Sequence, residues 1–229
     1  TTMGLMEVLR PAKEVPTTTW SAEDPMTIKP RKKTLVVLII GLWIFGTGDA
    51  ILIAAGIGNT PWPVLAEGIA KNIDWSVGQA TFLVSILVLL LWIPLKEKPG
   101  IGTILNAIII AAAIEVMVPR LPTPDNEYLA IAQVLLGAVL IGIGSGIYLT
   151  ANLGPGPRDG WMTGLQRVSG IPISRVRGTI ELTVLAIGWL VLGGTFGVGT
   201  IVFAILIGPV VAVCLNLAGR LGGSGEVHG

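Results

Sequence analysis

The chain has 229 residues, of which 52% are hydrophobic and 13% charged, with a mean hydropathy of +0.79. Soluble domains carry roughly a quarter charged residues, so this composition is that of an integral membrane protein. Fifteen Lys and Arg oppose fourteen Asp and Glu, which leaves no basic field for nucleic acid. One cysteine, Cys214 in an apolar run, and one histidine, His228, exclude a disulfide scaffold, a His-rich metal site and a Ser-His-Asp triad. The expectation is a protein that is not an enzyme and uses no metal or cofactor.

In chain order, residues 1–33 are polar, contain Thr17, Thr18 and Thr19 and several prolines, and end in Lys29, Arg31, Lys32 and Lys33. No short apolar core precedes a small-residue cleavage site, so no cleavable signal peptide is expected. The segment reads as an irregular cytoplasmic tail. Six apolar runs follow, at 34–58, 77–95, 101–118, 128–153, 174–192 and 198–217. At about 1.5 Å per residue each can span a hydrocarbon core of about 30 Å. Two further stretches, 61–72 and 157–168, are too short and too polar to cross and read as half-helices.

With the N-terminus inside, thirteen of the fifteen basic residues fall on the cytoplasmic side, leaving Lys71 and Arg120 outside. Basic residues accumulate in cytoplasmic loops, so both termini are expected to be cytoplasmic. Trp62, Trp75, Trp92, Trp161 and Trp189 lie near the ends of expected elements and read as interfacial anchors.

A shift of 96 residues superposes GLWIFGTGDAILIAAGIGNTPWPVLAEG on GAVLIGIGSGIYLTANLGPGPRDGWMTG. It pairs Gly46 with Gly142, Gly48 with Gly144, Gly58 with Gly154, Pro61 with Pro157 and Gly68 with Gly164. Further on, GIGTILNAIII from Gly100 superposes on GVGTIVFAILI from Gly197. The chain is an internal duplication, residues 34–121 against 128–219. Three spans per half is an odd number, so the second half enters from the opposite side. The expected fold is all-α and polytopic: six transmembrane helices in two inverted three-helix repeats, with two half-helices. Such repeats recur in secondary transporters, whose ligand sites lie between the halves. Duplication of a scaffold with no substrate is the other reading.

The strings GxGDAxxxxxGxGNTPWPVLAEG, LGPGPRDGWMTGL and the two G-[IV]-G-T segments resemble the YczE/YitT-like family of bacterial integral membrane proteins. The likeness runs from Thr34 to Leu217. It implies a bacterial cytoplasmic membrane location; members are described as membrane or transport-related proteins without an assigned reaction, so it implies no particular substrate.

The candidate binding or coupling residues are Asp49, Asn59, Thr60, Trp62, Gly156, Arg158 and Asp159. Asn59 and Thr60 before Pro61, and Gly156 before Pro157, read as helix starts, whose unpaired N–H groups favour an anion. Two interfacial helices lying flat at the headgroups are the alternative. Arg158 adds a fork of donors suited to a carboxylate or phosphate, while Asp159 beside it reads either as its gating partner or as a cap. Asp49 is the deepest acid. A carboxylate there costs roughly 2.5–3.5 kcal/mol unless it faces a cavity or a partner, so it reads as a proton- or cation-coupling group or as a structural hydrogen bonder. Glu181, four positions after Arg177, reads as a local ion pair, Glu67 as solvated and Glu115 as snorkelling. Gly142 and Gly146 read as a tight helix contact.

These residues point to a secondary transporter of a small polar or anionic metabolite. A non-transporting accessory or regulatory subunit of a membrane complex is the alternative. Lipid and a small solute are the expected partners, with a homo-oligomer or a larger membrane complex left open.

Overall fold

The computed structural model describes residues 15–222, which form helices and connecting turns with no strand among them. Helix α1 is Lys32–Ala55, α2 Pro61–Ile73, α3 Val77–Leu90, α4 Trp92–Leu95, α5 Ile101–Met117, α6 Glu127–Thr150, α7 Pro157–Ser169, α8 Ile173–Ala186 and α9 Val198–Gly222. A π-turn, Ile187–Val191, continues α8. The bounds repeat: α2 and α7, and likewise α3 and α8, are offset by 96 residues at both ends.

Five helices are long and apolar enough to cross a membrane: Lys32–Ala55, Val77–Leu95, Ile101–Arg120, Glu127–Thr150 and Val198–Leu221. The stretch expected as the sixth span, 174–192, falls on α8 and its π-turn, which carry Arg175, Arg177 and Glu181 and are not among the five. Large apolar side chains such as Ile40, Leu87, Ile104, Leu136 and Ile205 face outward, as a hydrocarbon solvent permits.

The centre is the pair α1 and α6. A Cβ on Gly48 would lie 2.8 Å from the Gly137 carbonyl oxygen, and one on Gly144 2.7 Å from that of Gly41. Glycine alone lets the backbones approach so closely. Because Gly41 meets Gly144 while Gly48 meets Gly137, the helices run antiparallel; Gly41 with Gly137, and Gly48 with Gly144, are equivalent positions of the duplication. Gly142 and Gly146 do make a tight contact, against Val210 and Cys214 of α9.

The two G-x-G-T segments have a shared role. Gly102 N–H donates to the Leu153 carbonyl at 2.7 Å, and Gly199 N–H to the Ile57 carbonyl at 2.9 Å. Each half therefore grips the broken-helix turn of the other. A Cβ on Gly102 would stand 2.6 Å from the Leu153 oxygen, and one on Gly199 2.6 Å from the Gly58 oxygen. The threonines cap their own helix starts, Gly100 N–H donating to Thr103 Oγ1 at 3.2 Å and Gly197 N–H to Thr200 Oγ1 at 3.4 Å. Gly58 and Gly154, at φ +123° and +100°, turn the chain where a side chain would be strained.

The N-terminal segment departs from the expected free tail. Residues 15–31 are irregular but docked. Trp20 Nε1 donates to Thr150 Oγ1 at 3.0 Å, Ser21 Oγ to the Thr150 carbonyl at 2.5 Å, and Ala22 N–H to the Ala151 carbonyl at 2.9 Å. Asn152 Nδ2 returns a bond to the Ala22 carbonyl at 2.8 Å. The end of α6 exposes carbonyls that need donors, and this strap supplies them.

Candidate functional site

A cavity of 780 Å³ lies where the two halves meet, within the size range of small-molecule sites. It takes Phe45 and Asp49 from α1, Asn106 and Ile110 from α5, Ser145 and Tyr148 from α6, and Phe203 and Ile207 from α9. The first turns of both half-helices open onto it, through Thr60 and Trp62 on one side and Gly156, Arg158 and Asp159 on the other.

Six of the seven candidate residues thus line one cavity. Asn59 does not. Its side chain is fully buried, and its backbone N–H donates to the Thr195 carbonyl at 3.3 Å, so it fastens the first break to the opposite half. Thr60 is the N-cap of α2, but its hydroxyl makes no capping bond. Glu67 is a correction to the sequence reading. Rather than solvated it is only 7% exposed, and its carboxylate accepts the Thr195 N–H at 3.0 Å. Burial pushes the Glu67 carboxyl above its usual range, opposed by the bond from the Thr195 N–H. Trp62 and Trp92 are also corrected: both are buried, and Trp92 Nε1 donates to the Pro157 carbonyl at 2.9 Å, pinning the start of α7. Trp75 and Trp189 are exposed, as interfacial anchors would be.

Most charges in the cavity are mutually satisfied. Asp159 pairs with Arg177 rather than with Arg158, and it accepts the Tyr148 hydroxyl at 3.2 Å. Arg177 also meets Glu181 at 3.5 Å, the expected local pair. Two groups stand outside this network. Arg158 places its guanidinium 5.1 Å from the Trp62 ring centre and enters no ion pair among the described residues. Burial draws its pKa below the usual arginine value, against the fields of Asp49 and Asp159; an arginine stays charged there nonetheless. Asp49 is 2% exposed, and its Oδ2 has no hydrogen-bond partner.

Equivalent positions of the two halves line the cavity with unlike chemistry: Asp49 against Ser145, Trp62 against Arg158, Ser85 against Glu181, and Asn106 against Phe203. The repeat alignment could have found Ser145, since it marks the position opposite Asp49. Tyr148 and the Arg177 pairing carried no such signal, because both depend on Asp159 at the start of α7 meeting side chains of α6 and α8. Among the described residues, no three His, Cys, Asp or Glu cluster to hold a metal.

Long apolar helices around a cavity that holds several charged side chains define a helical membrane protein. The chain belongs to the family described as DUF6198, a family of unknown function, whose model matches residues 32–216. It is 40% identical over 207 residues to an uncharacterized protein of Haemophilus influenzae, covering 90% of this chain and 94% of that one. It is 32% identical to the uncharacterized membrane protein YczE of Bacillus subtilis, over 76% of this chain and 85% of YczE, and the family is therefore YczE-like. A third relative, YyaS of Bacillus subtilis, is 26% identical over 79% of this chain and 92% of its own. No solved structure matches.

Proposed function

We propose that the protein is a secondary transporter, moving a small polar or anionic solute across the bacterial cytoplasmic membrane by alternating access. In this reading α8 with its π-turn is the sixth span, the halves are inverted repeats, and both termini are cytoplasmic. The observation that carries it is the central cavity, lined by both halves at equivalent positions and holding an arginine and a carboxylate outside any ion pair among the described residues. Antiparallel α1 and α6, and the reciprocal grip of each half on the other's broken helix, supply the two-sided geometry that rocking of one half against the other requires.

The test is reconstitution of the full chain in proteoliposomes, with counterflow of labelled carboxylates, phosphates and amino acids measured against protein-free vesicles. The reading expects accelerated exchange of at least one solute, lost in Arg158→Ala. Folded protein with no exchange, together with a second membrane protein that co-purifies in stoichiometric amount, would favour the accessory-subunit reading instead.

A further inference from the structure

The two groups left over in the cavity are a guanidinium and a carboxyl. Arg177 with its two acids, and Tyr148 with Asp159, form a closed set. Arg158 and Asp49 line the same cavity without closing into an ion pair with each other. A buried unpaired carboxylate and an unpaired guanidinium on one cavity are costly unless something bound there completes both.

We infer that the cavity takes a zwitterion, an amino acid with an apolar side chain, its carboxylate on Arg158 and its ammonium on Asp49. The guanidinium is a planar fork that matches a carboxylate bidentately, and Trp62 supports its face. Asp49 lines the same cavity, and its carboxyl, with Oδ2 buried and unpartnered among the described residues, is the acceptor left for an ammonium. Phe45, Ile110, Ile141, Phe203 and Ile207 line the same cavity, whose wall is mostly apolar although Ser145, Asn106 and the Arg177 set also reach it, which suits an aliphatic or aromatic side chain. An inorganic anion or a plain carboxylate would satisfy Arg158 and leave Asp49 stranded. This inference rests on the transport reading, since it takes the central cavity as the solute site.

The experiment measures binding to the purified full chain in nanodiscs, by thermal shift and by equilibrium binding of tritiated probe. The probes are L-leucine, L-methionine and L-phenylalanine, each beside its amide and its deaminated acid. At least one amino acid should bind, with its amide and its deaminated acid each about tenfold weaker or worse. Asp49→Asn should abolish the preference for the amino acid over the deaminated acid, and Arg158→Gln the preference over the amide. The comparison among probes on the wild-type protein stands even if a variant fails to fold. Binding of the deaminated acid as tightly as its parent, or no binding by any of the three amino acids, overturns the inference. Carboxylate counterflow in the second case would leave the transport reading standing, whereas amino-acid binding without flux of any solute would sink the transport reading and keep the site.

Discussion

Arg158 stacks over Trp62 with 5.1 Å between guanidinium and ring centre, and the two are equivalent positions of the duplicated sequence, 96 residues apart. The contact therefore joins the two duplicated stretches at the cavity that both residues line. Duplication placed the same backbone turn on each side; divergence made one a cation and the other an aromatic platform. A cation over an indole is worth about 0.5–2 kcal/mol according to its desolvation. That holds Arg158 in one orientation without consuming its hydrogen-bond donors.

The reciprocal grip of the G-x-G-T segments makes a direct stability prediction. Gly102→Ala and Gly199→Ala each drive a methyl to 2.6 Å from a carbonyl oxygen of the opposite half's turn. Each should destabilise the protein by roughly 1–3 kcal/mol, as overpacking does. Gly178 is helical, and a Cβ there meets nothing within 4 Å, so Gly178→Ala should leave stability unchanged or raise it by about 0.5–1 kcal/mol. Thermal unfolding in detergent distinguishes these; equal Tm values for all three variants would contradict the assigned role of the motif.

How much of this was legible in the sequence depends on what carried each feature. Hydropathy and Pro or Gly placement located the helices to within a few residues, because span length and broken-helix turns are written locally. The glycine pairs at 46 and 142, or 58 and 154, were visible as a repeat, yet the partner of each glycine lies in another element. Glu67 and Trp92 looked like surface residues because local polarity and position near a span end say nothing of what packs above them. Asn59 read as a ligand group for the same reason, although Thr195, which holds its backbone, is far away in sequence. The strap escaped altogether. A polar, proline-rich segment has no core-forming pattern, and its order comes from donors offered to the carbonyl end of α6.

That strap is testable at one atom. Ser21 Oγ accepts the Thr18 N–H at 2.9 Å and donates to the Thr150 carbonyl. Ser21→Ala removes these bonds, and the contact with the Thr18 hydroxyl at 3.0 Å, in a buried setting, at a cost of roughly 1–3 kcal/mol. Hydrogen exchange should accelerate at Ala22 and across 150–152, and remain unchanged at the equivalent first-half turn, 54–56. Uniform acceleration at both turns would mean that the strap stabilises the whole fold rather than this turn.

Orientation has its own measurement. In a Cys214→Ser background, Asp125→Cys in the α5–α6 connection should react with an impermeant thiol reagent added to intact cells. Lys98→Cys, before α5, should react only after the membrane is opened. Both positions are exposed, so accessibility reports the side of the membrane. The reverse pattern would place the thirteen basic residues outside and overturn the proposed topology.

The last prediction separates function from stability at Asp49. Asn keeps the shape of the side chain and removes its charge, and the carboxylate it replaces is 2% exposed with Oδ2 unpartnered. A buried charge without a partner is a cost to the folded state. If Asp49 is retained for what it binds, Asp49→Asn should leave Tm unchanged or raise it while solute exchange falls at least tenfold. A structural carboxylate would behave the other way: removing its charge would break bonds it makes, lowering Tm and yield together, with the surviving folded protein exchanging solute at the normal rate. Measuring Tm and counterflow on the same preparation decides between them, because the two roles move the two readouts in opposite directions.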